Sequence, residues 1–299
     1  MRRFQFIQTS VFIDQRYSFS GNQLATFWNF LECAQLQDDE MQGITREMNF
    51  SETTFALTPS MENVASKVRI FTPGMEIPFA GHPTLGTAYV LKEKSLLDPD
   101  GDSSALELGV GRIPVDFLTD TKVRMTQPKP EFLEKIEDSS EISKILGIEK
   151  EDISKEFSMQ YVTTGFPFLI IKIENYKAVQ KAYPNPLKLN EVLGDFPSRD
   201  ILIFTTDCNH SDSSVHVRMF APEAGVPEDP ATGSAAGPLG AYLHKYEVID
   251  NNRNEFMVEQ GYEMNRPSLL EVEVPPSMEH VFVSGEVRIT AEGHFMLSN

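Results

Sequence analysis

One passage of this chain occurs twice, and a duplicated passage leaves few architectures open. Residues 68–88 read VRIFTPGMEIPFAGHPTLGTA, and residues 217–235 read VRMFAPEAGVPEDPATGSA. Val68, Arg69, Phe71 and Pro73 match Val217, Arg218, Phe220 and Pro222. After a two-residue gap, Pro83, Gly86 and Ala88 match Pro230, Gly233 and Ala235. Each copy reads as a strand, a Pro-containing loop and a helix start. Similarity at this separation predicts two related halves. If those halves face each other, two helix N-termini point into one cleft.

The rest of the chain is compatible with two such halves. Its 299 residues suffice for one large domain or two of ordinary size. A hydrophobic content of 40% and a charged content of 23% are those of a globular protein. The net charge of −18 opposes non-specific binding to nucleic acid or to an anionic membrane. It does not oppose a small anionic ligand, because local fields at a site can run against the global charge. The N-terminal MRRFQFIQTSVFID has no continuous apolar run and reads as a strand rather than a signal peptide. No apolar run approaches a membrane span. Two cysteines, Cys33 and Cys208, with no CxxC, point to a reducing cytoplasm.

Along the chain, residues 3–13, 51–58, 67–72, 105–118 and 121–127 read as strands, and 17–27 as a turn around Gly21-Asn22. Residues 38–48 read as a helix capped by Asp38 or Asp39, and 83–94 as a helix with Pro83 at its first position. QPKPEF at 127–132 is the candidate link between halves. In the second half 161–173, 200–207, 214–222, 269–274, 280–285 and 286–293 read as strands, with a short helix over 141–148. The segment 230–246 reads as an apolar, small-residue helix, the kind a sheet surrounds.

Two constellations could carry chemistry. In AGHPTLG (80–86), Gly81 permits close backbone approach and His82 stands before Pro83. The first N–H groups of a helix starting there would share space with the imidazole and favour an anion. A plain helix start with a surface histidine fits the same residues. In PEDPATGSA (227–235), Asp229 precedes Pro230 as His82 precedes Pro83, and Ser234 lies close behind. Asp229 also fits a simple N-cap. Glu52, in NFSETTF, opens a strand, where it fits either a solvated surface or a general base with its pKa raised by burial.

Other chemistries find less support. The six histidines are scattered, with no i,i+4 pair on a helix, and Cys208-Asn209-His210 lacks a zinc-site context. GHPTLGT mimics the glycine spacing of a P-loop without its lysine, and GVG at 109–111 is a lone glycine pair. Ser234, His82 and Asp229 match a hydrolase triad in composition, but no GxSxG elbow accompanies them.

IPFAGHPTLGTA, EDPATGSA, NFSETTF and the early FSGNQLA together resemble the PhzF-like family, named for phenazine biosynthesis. The resemblance runs from about residue 4 to residue 293. It implies an α+β, diaminopimelate-epimerase-like fold of two pseudo-symmetric domains, each a curved mixed sheet wrapped around a central helix. The domains would be residues 1–126, joined by a returning strand over 286–299, and residues 127–285. It also implies a homodimer without metal or organic cofactor. The implied activity is an isomerase that moves a proton from C3 to C1 of trans-2,3-dihydro-3-hydroxyanthranilate. Glu52 matches the family's acid/base glutamate, His82 the histidine of its GHPT segment, and Asp229 and Ser234 the aspartate and serine of its DPATGS segment. Gly81, Asn22, Thr84, Thr232 and Gly233 would bind the substrate. Related epimerases and proline racemases carry a cysteine pair at the two helix starts. Here His82 and Asp229 stand at the matched places, which argues against two-thiol racemisation. The usual GNP triplet is Gly21-Asn22-Gln23 in this chain. Two other readings remain open: a non-catalytic binder of small carboxylates, and a cofactor-independent epimerase of an amino-acid-like substrate.

Overall fold

The computed structural model describes residues 1–97, 101–249 and 254–298. The chain divides into two compact units. One holds Met1–Thr126, Ala224–Val226 and Ser284–Asn299; the other holds Gln127–Glu223 and Pro227–Val283. Asn299, the end of the expected returning strand, lies outside the described residues.

In the first unit, strands Arg2–Val11, Asn22–Phe27, Glu52–Leu57, Ser66–Phe71, Ser103–Leu108, Gly111–Phe117 and Lys122–Gln127 pair in sequence order. The long strand Val281–Leu297 pairs with the first and the last of them, which closes the sheet on itself. Two of the pairings are parallel, Leu24 with Glu52 and Ser66 with Leu106 in register. Helix Gly81–Glu93 packs against the three strands nearest the N-terminus. Every residue from Gly81 to Leu91 is buried, so this helix has no solvent face. A second core forms under helix Asp38–Met48, where Phe27 stacks on Phe55 at 5.0 Å and Phe71 meets Phe55 edge-on at 5.6 Å.

The second unit repeats this order. Strands Met159–Thr163, Pro167–Lys172, Ile201–Thr205, Val215–Ala221, Glu255–Gln260 and Ser268–Glu273 pair in turn, with Glu131–Ile136 added beside the first. The parallel pairings fall at the same two places, Leu169 with Ile201 and Val215 with Val258. Helix Gly233–Lys245 packs inside this sheet and is buried from Gly233 to Leu243. Helices Ser139–Leu146, Tyr176–Lys181 and Pro186–Leu193 cover the sheet's other face over an aliphatic core that includes Ile145, Leu169, Leu189 and Ile203.

The repeat extends to individual contacts, and these fix its register. Both central helices have 13 residues, with N-caps Ala80 and Thr232. Arg69 pairs with Glu76, and Arg218 with Glu228. A Cβ on Gly109 would lie 2.7 Å from Pro78, and one on Gly261 would lie 2.5 Å from Pro230. Pro78, Gly81 and His82 therefore correspond to Pro230, Gly233 and Ser234. Pro230 matches Pro78 and not Pro83, and Asp229 matches Ile77 and not His82. The two loops between strand and helix differ in length, and matching prolines placed the gap on the wrong side.

Several element boundaries also differ from the sequence reading. Residues 105–118 turn back at Gly109-Val110, and 161–173 turn back at Gly165, whose φ of +136° favours glycine. The two strands read over 280–293 are one continuous strand. The Asp38–Met48 helix is capped by Gln37, whose N–H donates to Glu40 at 3.0 Å, and not by an aspartate.

Candidate active site

Three chain segments bring polar groups together in the first unit. Glu52 is the first residue of its strand, Asn22 the first of the neighbouring strand, and His82 the second residue of the central helix. Strand ends and a helix start converge because Leu24 and Glu52 are in parallel register and the helix packs on both strands. Glu52 is 9% exposed and His82 2%. Asn22 Nδ2 lies 3.1 Å from His82 Nδ1, and His82 Nε2 lies 3.3 Å from Glu52 Oε2.

The protonation state of His82 follows from this setting. Burial holds its pKa down at about 3, opposed only by a hydrogen bond that the ring gives to the Gln23 backbone carbonyl. The imidazole is neutral at pH 7, so its approach to Glu52 is not an ion pair. When the Asn22 amide donates to Nδ1, the single ring proton sits on Nε2 and faces Glu52. The 3.3 Å approach does not have hydrogen-bond geometry, and among the described residues Nε2 makes no hydrogen bond. That N–H is available to a bound molecule.

The helix start adds backbone donors. No side chain caps it, and Pro83 brings no N–H of its own. Gly81 supplies the first of these amides, and the Thr84 hydroxyl donates to Ala80 C=O at 2.6 Å, which fixes the turn. The N–H groups of Gly81 and His82 have no intrahelical partner and suit an anion.

The second unit holds Asp229, Thr232, Gly233 and Ser234, all buried. Asp229 ends strand Val226–Asp229 and is not the N-cap; Thr232 is. The Thr232 hydroxyl does not cap the helix either. It donates to Asp229 Oδ2 at 2.6 Å. Ser234 is the second helical residue, the position His82 has in the first unit. Gln127 Nε2 donates to Gly233 C=O at 2.8 Å and accepts from Thr164 through Oε1 at 2.6 Å. A side chain at Gly237 would meet that Oε1 at 1.9 Å, so the close approach of Gln127 requires glycine there.

Two groups of this region escaped the sequence reading. In register, Thr53 faces Phe71 and Ile201 faces Phe220, so Asp200 holds the place that Glu52 has in the first unit. Burial, then the negative charges of Glu223 and Asp229, push the Asp200 carboxyl up to about 7. The other is Gln260, whose contacts with Asp229 and Thr232 are described below. Among the described residues no three His, Cys, Asp or Glu side chains come together as metal ligands would. No helix there is long and apolar enough to cross a membrane.

The sequence profile described as phenazine biosynthesis-like protein matches residues 10–293. The chain belongs to that family. A trans-2,3-dihydro-3-hydroxyanthranilate isomerase of Pseudomonas aeruginosa is 35% identical over 284 residues, 93% of this chain and 94% of the relative. An uncharacterized isomerase of Clostridium acetobutylicum is 34% identical across 100% of both chains. The crystal structure of a Bacillus anthracis phenazine biosynthesis protein of the PhzF family superposes with a TM-score of 0.86 at 26% identity, covering 99% of this chain and 100% of that one. The fold is therefore the α+β, diaminopimelate-epimerase-like one, and the family member described here is an isomerase.

Proposed function

We propose that this isomerase moves a proton between two carbons of a small carboxylated substrate of the trans-2,3-dihydro-3-hydroxyanthranilate type, with Glu52 as the acid/base. The observation that carries the reading is the buried Glu52 beside a neutral His82 whose ring is oriented by Asn22. Glu52 takes the proton from C3. The C–H bonding pair delocalises through the ring toward the substrate carboxylate, and the same carboxyl group returns a proton to C1. One side chain serves both positions because the carbons are a short distance apart.

The negative charge that develops needs donors fixed in advance. The N–H groups at the Gly81 helix start, with Thr84 nearby, supply them in the first unit; the Gly233 start, with Ser234, offers the same kind of donor in the second. A neutral His82 gives a hydrogen bond through Nε2–H without competing for the proton that Glu52 carries. Asp229 and Thr232 orient the substrate's hydroxyl or amino group. The test is incubation of trans-2,3-dihydro-3-hydroxyanthranilate with the protein in deuterated water, followed by NMR. Product with deuterium at C1 is expected. Recovery of unlabelled, unchanged substrate contradicts the reading.

A further inference from the structure

We propose that Gln260 is a positioning residue that sets the orientation of Asp229 through Thr232. This rests on the reading of Asp229 as part of the substrate site.

Gln260 ends strand Glu255–Gln260 and is 2% exposed. Its Nε2 donates to Asp229 C=O at 2.7 Å and to Thr232 Oγ1 at 3.0 Å. Its Oε1 accepts from Thr232 N–H at 3.1 Å. The partners fix the amide's orientation. A flipped amide would face its NH2 to the Thr232 N–H and its oxygen to the Asp229 carbonyl, donor against donor and acceptor against acceptor. With its lone pair engaged by Gln260, the Thr232 hydroxyl points its proton at Asp229 Oδ2, 2.6 Å away. Each bond in the chain determines the direction of the next. Gly261, at a φ of +81°, holds the strand end against Pro230, between the two braced residues.

The duplicated fold separates a structural role from a functional one. By the register of the repeat, Ile77, Ala80 and Leu108 in the first unit correspond to Asp229, Thr232 and Gln260. The first unit starts a helix of the same length with apolar side chains at all three places, its N-cap Ala80 at ψ 147° where Thr232 has ψ 85°. A buried central helix of this kind therefore does not require a glutamine, threonine and aspartate there. Burying three polar side chains is tolerable only when each is satisfied. The three occur together, and they occur where a carboxylate must be aimed.

The test compares wild type, Q260L, Q260E and D229N, with Q260L/D229N as the coupled variant. Q260L installs the side chain that the first unit carries at this place. Q260E keeps the shape but replaces the two-proton amide donor with a carboxyl that has at most one proton, so it cannot serve Asp229 C=O and Thr232 Oγ1 together. Both are expected to lower kcat per folded molecule about tenfold or more with KM within about threefold, and to lower Tm because Thr232 N–H and Asp229 C=O lose their partner. In the D229N background Q260L should cost little further, because its effect passes through Asp229. An equal loss in that background, or no loss in wild type, overturns the proposal. If wild type shows no isomerisation at all, the proposed function fails and the brace is judged separately. Thr232 N–H exchange should then be faster in Q260L, and succinate binding weaker. Unchanged exchange and unchanged binding overturn the brace.

Discussion

Two buried histidines of this protein each face glutamate, and their pKa values move in opposite directions. His82 has the Asn22 amide on one side and a single carboxylate, Glu52, on the other. Burial dominates, and the ring is neutral. His216 lies between two carboxylates, with Nδ1 3.0 Å from Glu259 and Nε2 3.0 Å from Glu263. Burial would lower its pKa as well, but the hydrogen bonds to Glu259 and Glu263 outweigh it and the pKa is raised. A ring with a carboxylate at each nitrogen needs both protons. The number of facing carboxylates, not burial, separates the two.

The repeat shows which of them belongs to the fold. His216 pairs across the strands with Glu259, as Lys67 pairs with Glu107 at the corresponding place. Glu107 accepts from Ser60 N–H at 2.7 Å and Met61 N–H at 2.9 Å; Glu259 accepts from Asn209 N–H at 2.6 Å and His210 N–H at 3.3 Å. A buried glutamate that ties down a loop and pairs with a cation occurs in both halves. The neutral His82 and the Gln260 brace occur in one half each. The glutamate that ties down a loop belongs to the repeat; the neutral His82 and the Gln260 brace do not.

The largest expected break in this contrast is H216Q. It leaves Glu259 and Glu263 facing each other without a cation, and should cost about 3–5 kcal/mol in urea unfolding at pH 6. The sign with pH is set by the raised pKa. The stabilisation is complete below the ordinary value of 6.5 and is lost as pH rises through the higher folded value, so wild type and variant converge at alkaline pH. E107Q should cost less, about 1–3 kcal/mol, because Glu107 can keep part of its loop contacts as an amide. Its turnover per folded molecule should match wild type in a steady-state assay.

H82N sharpens the other side of the comparison. It should lower kcat about tenfold and leave the pH–rate profile between pH 5 and 9 unchanged in shape, because His82 takes up a proton only near pH 3. A lost limb in that range would mean that His82 titrates there. The smallest expected effect belongs to D200N. Native Asp200 keeps a proton that the unfolded chain releases above about pH 4, so wild type loses stability as pH rises toward 7. The variant should therefore gain Tm over wild type at pH 8 and not at pH 4.

Glu52 and His82 were picked out by the family resemblance of NFSETTF and GHPT; on position alone Glu52 fits a solvated surface and His82 a plain helix start, because their meeting depends on strand pairing and helix packing. The exact helix start was not legible, since Pro83 fits the third helical position as well as the first. Gln260 was invisible because its partners lie 28 and 31 residues upstream and meet it only through strand pairing. Asp200 was invisible for a similar reason. Its likeness to Glu52 exists only in the register of Ile201 against Phe220. The helices Tyr176–Lys181 and Pro186–Leu193 carried readable starts in Asn175 and Asn185-Pro186, but each is too short to show a hydrophobic period.

Glu52 and Asp200 occupy one register position in two halves, and only Glu52 is assigned the proton. Solvent-deuterium incorporation into trans-2,3-dihydro-3-hydroxyanthranilate, measured side by side for E52Q and D200N, tests that assignment most directly. E52Q should slow incorporation about 10³-fold while D200N stays within about threefold of wild type. Equal losses in the two variants, or an active E52Q, would contradict it.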